Sequence, residues 1–190
     1  MQRETIDNKV FLIGYHTQEF RYGRYLVRPI ECKMDNAWLG MGYYFWIDLE
    51  FAQYWGEDFK KKNNGYYDIY AAQIDIDNCI NAVFNEEHYL FFRKCIEKTI
   101  EHFNKHNIPV TLKEVHQFLL DNFWEKQGVT GLLYDDLPYN PNYKPNRKYS
   151  VIAYKEHNQT KHLYYKKRIQ VVVFSLKSIH NFKPHLTKQT

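Results

Sequence analysis

The chain has 190 residues, of which 44% are apolar and 25% charged, with a net charge of +4; these values are ordinary for one globular domain with a buried core. The polar N-terminal stretch has no signal-peptide hydrophobic region, and the apolar stretch VFLIGY is too short to cross a membrane. Three cysteines without metal-type spacing argue against a disulfide framework. We therefore expect a single cytoplasmic domain over residues 1–190, without a membrane partner.

The first half of the chain predicts strands with one helix between them. Residues 9–17 form an apolar-rich strand, and residues 66–77 form a second one. Between them, the aromatic run at 43–46 is predicted to lie on a strand that leads directly into a helix, with Asp48 as its expected N-cap.

The second half predicts a pair of helices inserted between strands, at about residues 85–127. Apolar residues recur on one face of the first helix, and TLKE (111–114) is a capping box that opens the second. Three strands rich in Val, Ile and Tyr complete the set, at 129–135, 149–155 and 168–176. The expected fold class is therefore α+β, with strands at both ends and helices in the middle.

The heptapeptide GMGYYFW (40–46) is one of several short motifs whose order along the chain is informative. They are His16 on the first strand, Gly40 and Gly42 with Tyr44 and Phe45, Trp55 eleven residues after Tyr44, and Gln170 on the last strand. This series resembles the NAD-binding core of ADP-ribosyltransferases, and more closely their diphtheria-toxin and poly(ADP-ribose)-polymerase-like branch. That branch carries His-Gly-Thr/Ser, then Gly-x-Gly-x-Tyr-Phe, then an aromatic residue, and usually an acidic residue on a late strand.

The resemblance implies a split, mixed or antiparallel sheet with NAD lying bent across its cleft. It further implies NAD as co-substrate, no metal, and transfer of ADP-ribose with release of nicotinamide. Tyr44 is then the platform for the nicotinamide ring and Trp55 the opposite wall, while His16 binds a ribose hydroxyl. The alternative for all three residues is structural, because strand and helix aromatics are usually core, and a buried histidine is often satisfied by a carbonyl.

Further binding residues follow from the same resemblance. Gly40 and Gly42 are expected to let the main chain approach the ligand, with Phe45 beside them. Thr17 and Gln18 occupy the positions of the family's Gly and Ser/Thr, which is a departure from its pattern. We expect the nicotinamide amide to be bound there by main-chain groups.

Gln170 is the larger departure, because the family usually has a carboxylate there. A neutral amide accepts the ribose hydrogen bond but does not offset the positive charge that develops in the transition state. Three interpretations follow: Gln170 orients the substrate in a mono-transferase, another carboxylate such as Glu156 or Glu19 serves, or the domain binds NAD without turnover. We favour the first, and a chain-extending polymerase is not expected.

The acceptor of ADP-ribose is not encoded in these motifs. Eight Lys or Arg residues and one Glu lie between residues 144 and 168, together with several tyrosines, which suits RNA or DNA somewhat better than an acidic protein such as an antitoxin. Compact transferases of this type often act as bacterial toxins or anti-phage effectors. One competing hypothesis is a non-enzymatic RNA-binding module. Another is RNA 2′-phosphate removal, for which only Arg21, Arg24 and Arg28 argue.

Overall fold

The computed structural model describes residues 2–6, 8–33, 37–60, 65–135, 151–156, 159–164 and 167–189. Of the basic segment 144–168, residues 144–150, 157–158 and 165–166 lie outside this description, as do the side chains of 151–156 and 159–164, that of Glu156 included. The strands are β1 (Arg3–Ile6), β2 (Lys9–Glu19), β3 (Tyr43–Trp46), β4 (Tyr66–Asp75), β5 (Cys79–Asn81), β6 (Gly131–Asp135), β7 (Val151–Glu156), β8 (Gln159–Tyr164), β9 (Ile169–Val173) and β10 (Ile179–Gln189). The α-helices are α1 (Leu49–Trp55), α2 (Glu86–Lys105) and α3 (Leu112–Leu119).

Eight of these strands form one open mixed sheet in the order β10-β4-β2-β3-β9-β6-β5, with β1 beside β2. Neighbouring strands are antiparallel except β5 and β6, which run parallel. β7 and β8 form a separate antiparallel pair. The expected α+β class is therefore confirmed, with a mixed sheet.

The helices pack on this sheet through apolar side chains. Phe92 on α2 and Val115 and Leu119 on α3 are buried against Leu132 of β6 and against Trp124. Together with a π-helical turn at Leu120–Trp124 and a 3-10 turn at Glu125–Gln127, these helices fill the region where the sequence predicts a helical pair.

The capping predictions have different outcomes at the two helices. At α3 the predicted capping box is confirmed: the Thr111 hydroxyl accepts from the Glu114 N–H, and the Glu114 carboxylate accepts from the Thr111 N–H. At α1, Asp48 occupies the N-cap position, but its side chain makes no capping hydrogen bond. The short helix α1 is held instead by its packing, since Phe51 and Ala52 are buried in a cluster with Ile13 and Tyr15 of β2.

Cys32, Cys79 and Cys95 are all free thiols, as expected without a disulfide framework. Among the described residues, no helix combines the length and apolar character that a membrane span requires.

Candidate functional site

A cavity opens in the sheet where β2 and β3 part from each other. β2 pairs with β4 from Phe11 to Glu19, but within the described ranges its ladder with β3 consists of the single pair Tyr15 and Trp46. The next residues of both strands line a cavity of about 340 Å³. A gap between two strands of one sheet exposes main-chain groups that would otherwise be paired, so it is suited to binding polar ligands.

The cavity collects most of the side chains that the sequence singles out. His16, Thr17 and Gln18 line it from β2, Tyr44 and Phe45 from β3, Trp55 from the end of α1, and Gln170 from β9. Its volume lies at the lower end of the range for small-molecule sites.

His16 is buried, and all its hydrogen bonds agree on one tautomer. Its Nδ1 lies 2.8 Å from the carbonyl oxygen of Tyr44, to which it must donate. Its Nε2 accepts from the Gln18 amide at 3.0 Å and from the Ile30 N–H at 3.4 Å. Burial lowers the pKa of His16 to about 4, so the ring is neutral at physiological pH. The site thus contains a neutral imidazole whose Nε2 is an acceptor.

Thr17 ties β2 to the helix that carries Trp55. Its hydroxyl donates to the carbonyl oxygen of Ala52 at 2.8 Å. Thr17, which stands where the family has glycine, therefore uses its side chain to bind the main chain of α1. Because main-chain groups of alternate residues in an antiparallel strand point to opposite edges, part of the backbone at residues 16–18 faces away from β4, towards the gap.

Tyr44 and Trp55 belong to two different hydrophobic clusters that meet at the cavity. Tyr44 packs with the cluster under α2 and α3, whereas Trp55 packs with the cluster under α1. The Tyr44 hydroxyl donates to the Gly40 carbonyl oxygen at 2.7 Å and accepts from the Leu39 N–H at 2.9 Å, which fixes the ring. Burial raises the pKa of Tyr44, so it is a neutral phenol. The structural and ligand-binding interpretations of these two residues are therefore compatible.

Trp55 is supported by rings on its own side of the cavity. Its ring centroid lies 6.2 Å from that of Trp46 and 4.2 Å from that of Phe59. Among the described residues, no ring contact joins it to Tyr44. Whether the two rings enclose a ligand remains a prediction.

The two glycines of the motif are placed differently from the expectation. Neither is among the residues that line the cavity. A Cβ on Gly42 would lie 2.7 Å from Cγ2 of Val172 and 2.8 Å from the carbonyl oxygen of Val173, so β9 requires a glycine there. Gly40 has a φ of +92°, which side chains rarely adopt, and its Cβ would meet His116 of α3. Packing and backbone conformation therefore account for both glycines.

Gln170 lies on β9 between two aromatic neighbours, opposite Trp46 on β3 and Tyr134 on β6. Only 7% of its accessible surface remains exposed, and its Oε1 has no hydrogen-bond partner among the described residues. A buried amide oxygen without a partner costs about 1–3 kcal/mol. At a cavity wall such an acceptor can be paired by an ordered water or by a donor of a bound ligand.

Sequence reasoning missed several residues that line the cavity, namely Ile30, Glu31, Cys32, Trp38, Trp46 and Lys60. Glu31 is the only carboxylate among the described lining residues, and Lys60 the only cation. Lys60 forms an ion pair of 2.9 Å with Glu19, one of the alternative carboxylates that the sequence offers, which itself does not line the cavity. Trp46 belongs to the aromatic run of the motif, but Glu31 lies in a loop without any recognisable pattern.

Glu31 is held by main-chain anchors on both sides. The preceding residue, Ile30, donates its N–H to His16, and the following residue, Cys32, exchanges main-chain hydrogen bonds of 2.7 and 3.3 Å with Gly42. The Glu31 carboxylate lies 3.0 Å from the exposed Lys33 ammonium. The main chain on both sides of Glu31 is therefore fixed at the cavity, and its carboxylate pairs with a surface lysine.

Within the described ranges, no group of three His, Cys, Asp or Glu side chains is arranged to hold a metal ion. Comparisons of the chain with protein-family models, with curated proteins and with solved structures gave no match.

Proposed function

We propose that this protein is an NAD-dependent mono-ADP-ribosyltransferase that transfers ADP-ribose to a macromolecular acceptor and releases nicotinamide, as a bacterial or phage-defence toxin would. The observation that supports this most strongly is the grouping of residues around one cavity. The family-like motifs come from three distant parts of the chain, around residues 16, 44–55 and 170, and all three parts contribute to its lining.

The proposed reaction replaces one bond to the ribose by another. The bond between C1′ and the nicotinamide nitrogen breaks, and its electron pair leaves with nicotinamide as a neutral ring. An oxygen or nitrogen lone pair of the acceptor then forms the new bond to C1′, and the acceptor releases a proton to water. Because positive charge develops on the sugar, the protein must orient the leaving ring and stabilise that charge.

Orientation is assigned to Tyr44 and Trp55, which line the cavity from two different elements. Stacking of a base-like ring on one aromatic side chain contributes about 1–3 kcal/mol. The Tyr44 ring is already fixed through its hydroxyl, so little side-chain entropy is lost on binding.

Ribose binding is assigned to His16 and Gln170. The Nε2 of His16 is an acceptor, and in the absence of a ligand it is satisfied by Gln18. A ribose hydroxyl that donates to it would displace this amide. The Oε1 of Gln170 has no partner among the described residues, and a second hydroxyl would satisfy it.

Charge stabilisation is assigned to Glu31, since Gln170 is neutral. Glu31 is the only carboxylate among the described residues that line the cavity, and its main-chain neighbours are anchored to His16 and Gly42. A preorganised carboxylate near the ribose would lower the energy of an oxocarbenium-like transition state. The neutral Gln170 also favours one alternative, an NAD-binding domain that does not turn NAD over.

The decisive experiment incubates the purified protein with labelled NAD, total RNA and total protein, followed by mass spectrometry of each fraction. The proposal expects one macromolecule class to gain the mass of ADP-ribose and free nicotinamide to appear in equal amount. Binding of NAD without released nicotinamide would indicate the domain without turnover. RNA binding that ignores NAD would indicate the RNA-binding module.

A further inference from the structure

The loop that leads from β2 to the cavity carries an unusual combination of side chains. In residues 20–28, which we call the arginine loop, Arg21, Arg24 and Arg28 alternate with Tyr22 and Tyr25. The three arginines are exposed, and the two tyrosine side chains are 72% and 52% exposed. Within the described residues, none of the three guanidinium groups forms an ion pair. We propose that the arginine loop binds a single-stranded nucleic acid, which is the acceptor of the proposed reaction.

The loop has a defined shape. Tyr22 and Gly23 adopt left-handed backbone conformations, with φ of 52° and 77°, and the Arg24 N–H donates to the Arg21 carbonyl oxygen at 3.0 Å, which closes a tight turn. Further along, the Leu26 N–H donates to the hydroxyl of Tyr70 on β4 at 3.2 Å. A surface that is ordered before binding loses less conformational entropy when a ligand arrives.

The arginine loop also lies next to the cavity. Ile30 and Glu31, which line it, follow Arg28 by two and three residues. Since a residue spans at most about 3.6 Å, the Cα atoms of Arg28 and Ile30 are no more than ~7 Å apart. A nucleic-acid strand bound along the loop would therefore have a nucleotide at the cavity rim. There it would lie close to C1′ of the NAD ribose, the atom that the acceptor attacks.

The chemistry of the loop favours unpaired nucleotides over other polyanions. A planar guanidinium binds phosphate through two parallel hydrogen bonds. Exposed tyrosine rings stack on bases only where the bases are unpaired, as in single strands. The Tyr22 ring contacts Phe20 with a centroid distance of 5.0 Å, yet most of its surface and half of that of Tyr25 stay exposed. An acidic peptide would use the arginines but would not use these exposed ring surfaces.

The test measures fluorescence anisotropy of labelled oligouridylate and oligothymidylate at several salt concentrations, without NAD. For single strands, the logarithm of the binding constant falls with the logarithm of the salt concentration, with a slope of about 0.7 per phosphate contact. Changing all three arginines to glutamine should therefore reduce this slope by ~2 and weaken binding by about a hundredfold at 0.1 M salt. Changing Tyr22 or Tyr25 to alanine should weaken it at least about fivefold. The ratio of the two affinities distinguishes RNA from DNA.

Matched controls lie on α2, which packs at the opposite end of the sheet order. Changing Lys94, Lys98 and Lys105 to glutamine removes the same charge from exposed positions, and Tyr89→Ala removes an exposed ring. These variants should retain the affinity of the unaltered protein. An equal loss in the controls, or no binding by the unaltered protein, would overturn the inference.

Two further outcomes would assign the loop to another ligand. If the arginine variants raise the KM for NAD and leave oligonucleotide binding unchanged, the arginines bind the diphosphate of the dinucleotide. If polyglutamate displaces the oligonucleotide and the tyrosine variants have no effect, the partner is an acidic protein. That the bound strand is the acceptor rests on the proposed function, whereas the binding itself does not. If the protein has no transferase activity, no nicotinamide is released, and the binding test without NAD is unaffected.

Discussion

Acidification should destabilise this protein through His16, one of the residues that line the cavity. The pKa of His16 is lowered from 6.5 to about 4, and burial is the main cause. Nearby Lys60 also lowers the pKa, whereas the hydrogen bond to the Tyr44 carbonyl and the charge of Glu19 raise it. In the unfolded chain the imidazole has its ordinary pKa, so between these two values the unfolded state binds the proton more readily. The neutral His16 therefore stabilises the fold fully above about pH 6.5, and this contribution is lost as the pH falls towards about 4.

The magnitude follows from the interval between the two pKa values. At about 1.4 kcal/mol per pH unit, the range from 6.5 to about 4 corresponds to ~3 kcal/mol of unfolding free energy. This is a large part of the total stability of an ordinary domain, which is about 5–15 kcal/mol. The change should therefore be measurable by chemical denaturation.

Urea unfolding at a series of pH values between about 7 and 4 tests this reasoning. His16→Asn is the matched variant, because its amide places a donor near the position of Nδ1 and has no proton to gain. We expect the unaltered protein to lose ~3 kcal/mol more than the variant over this range. Parallel loss of stability in both proteins would refute the assignment of a neutral, buried imidazole.

Three further predictions concern individual side chains of the site. Gln170→Leu removes a buried amide oxygen that has no partner among the described residues, so the free energy of unfolding should stay the same or rise by about 1 kcal/mol while nicotinamide release falls by at least ~100-fold. A parallel loss of both would mean that the amide is structural. Glu31→Gln should lower kcat for nicotinamide release by about tenfold or more with little effect on the KM for NAD; an unchanged kcat would exclude the carboxylate from the mechanism. Gly42→Ala should cost about 1–3 kcal/mol or more in urea unfolding, because its Cβ would collide with Val172 and Val173; normal stability with weakened NAD binding would instead restore the ligand-contact explanation.

The sequence predicts the fold well where strands are apolar and helices carry capping signals. The capping box at Thr111 and the strand that contains His16 are of this kind. The sequence does not predict β10, because this segment is mostly polar and contains Pro184. Such a composition is tolerated at the edge of a sheet, where β10 pairs with β4 alone.

The candidate site divides in a similar way. Residues within a recognisable spacing, such as Tyr44 and Trp55, were found from the sequence and line one cavity. Glu31 cannot be found from the sequence, because its position depends on hydrogen bonds of Ile30 to the His16 ring and of Cys32 to the Gly42 main chain, which no local pattern encodes. The sequence identifies the glycines of the motif but does not show why glycine is needed at Gly42. Only the register of β3 on β9 places Gly42 against Val172, where a side chain would collide.

Release of nicotinamide from NAD by the unaltered protein, Trp55→Ala and Tyr54→Ala tests most directly whether an aromatic wall of the cavity holds the leaving ring. Tyr54 is the matched control, because it lies on the same helix, is similarly half-buried and does not line the cavity. Loss of a stacking contact of about 1–3 kcal/mol predicts a fall in kcat/KM of about 5- to 150-fold for Trp55→Ala, with Tyr54→Ala close to the unaltered protein. Equal activity in all three proteins, or no nicotinamide from any of them, would contradict the proposed site.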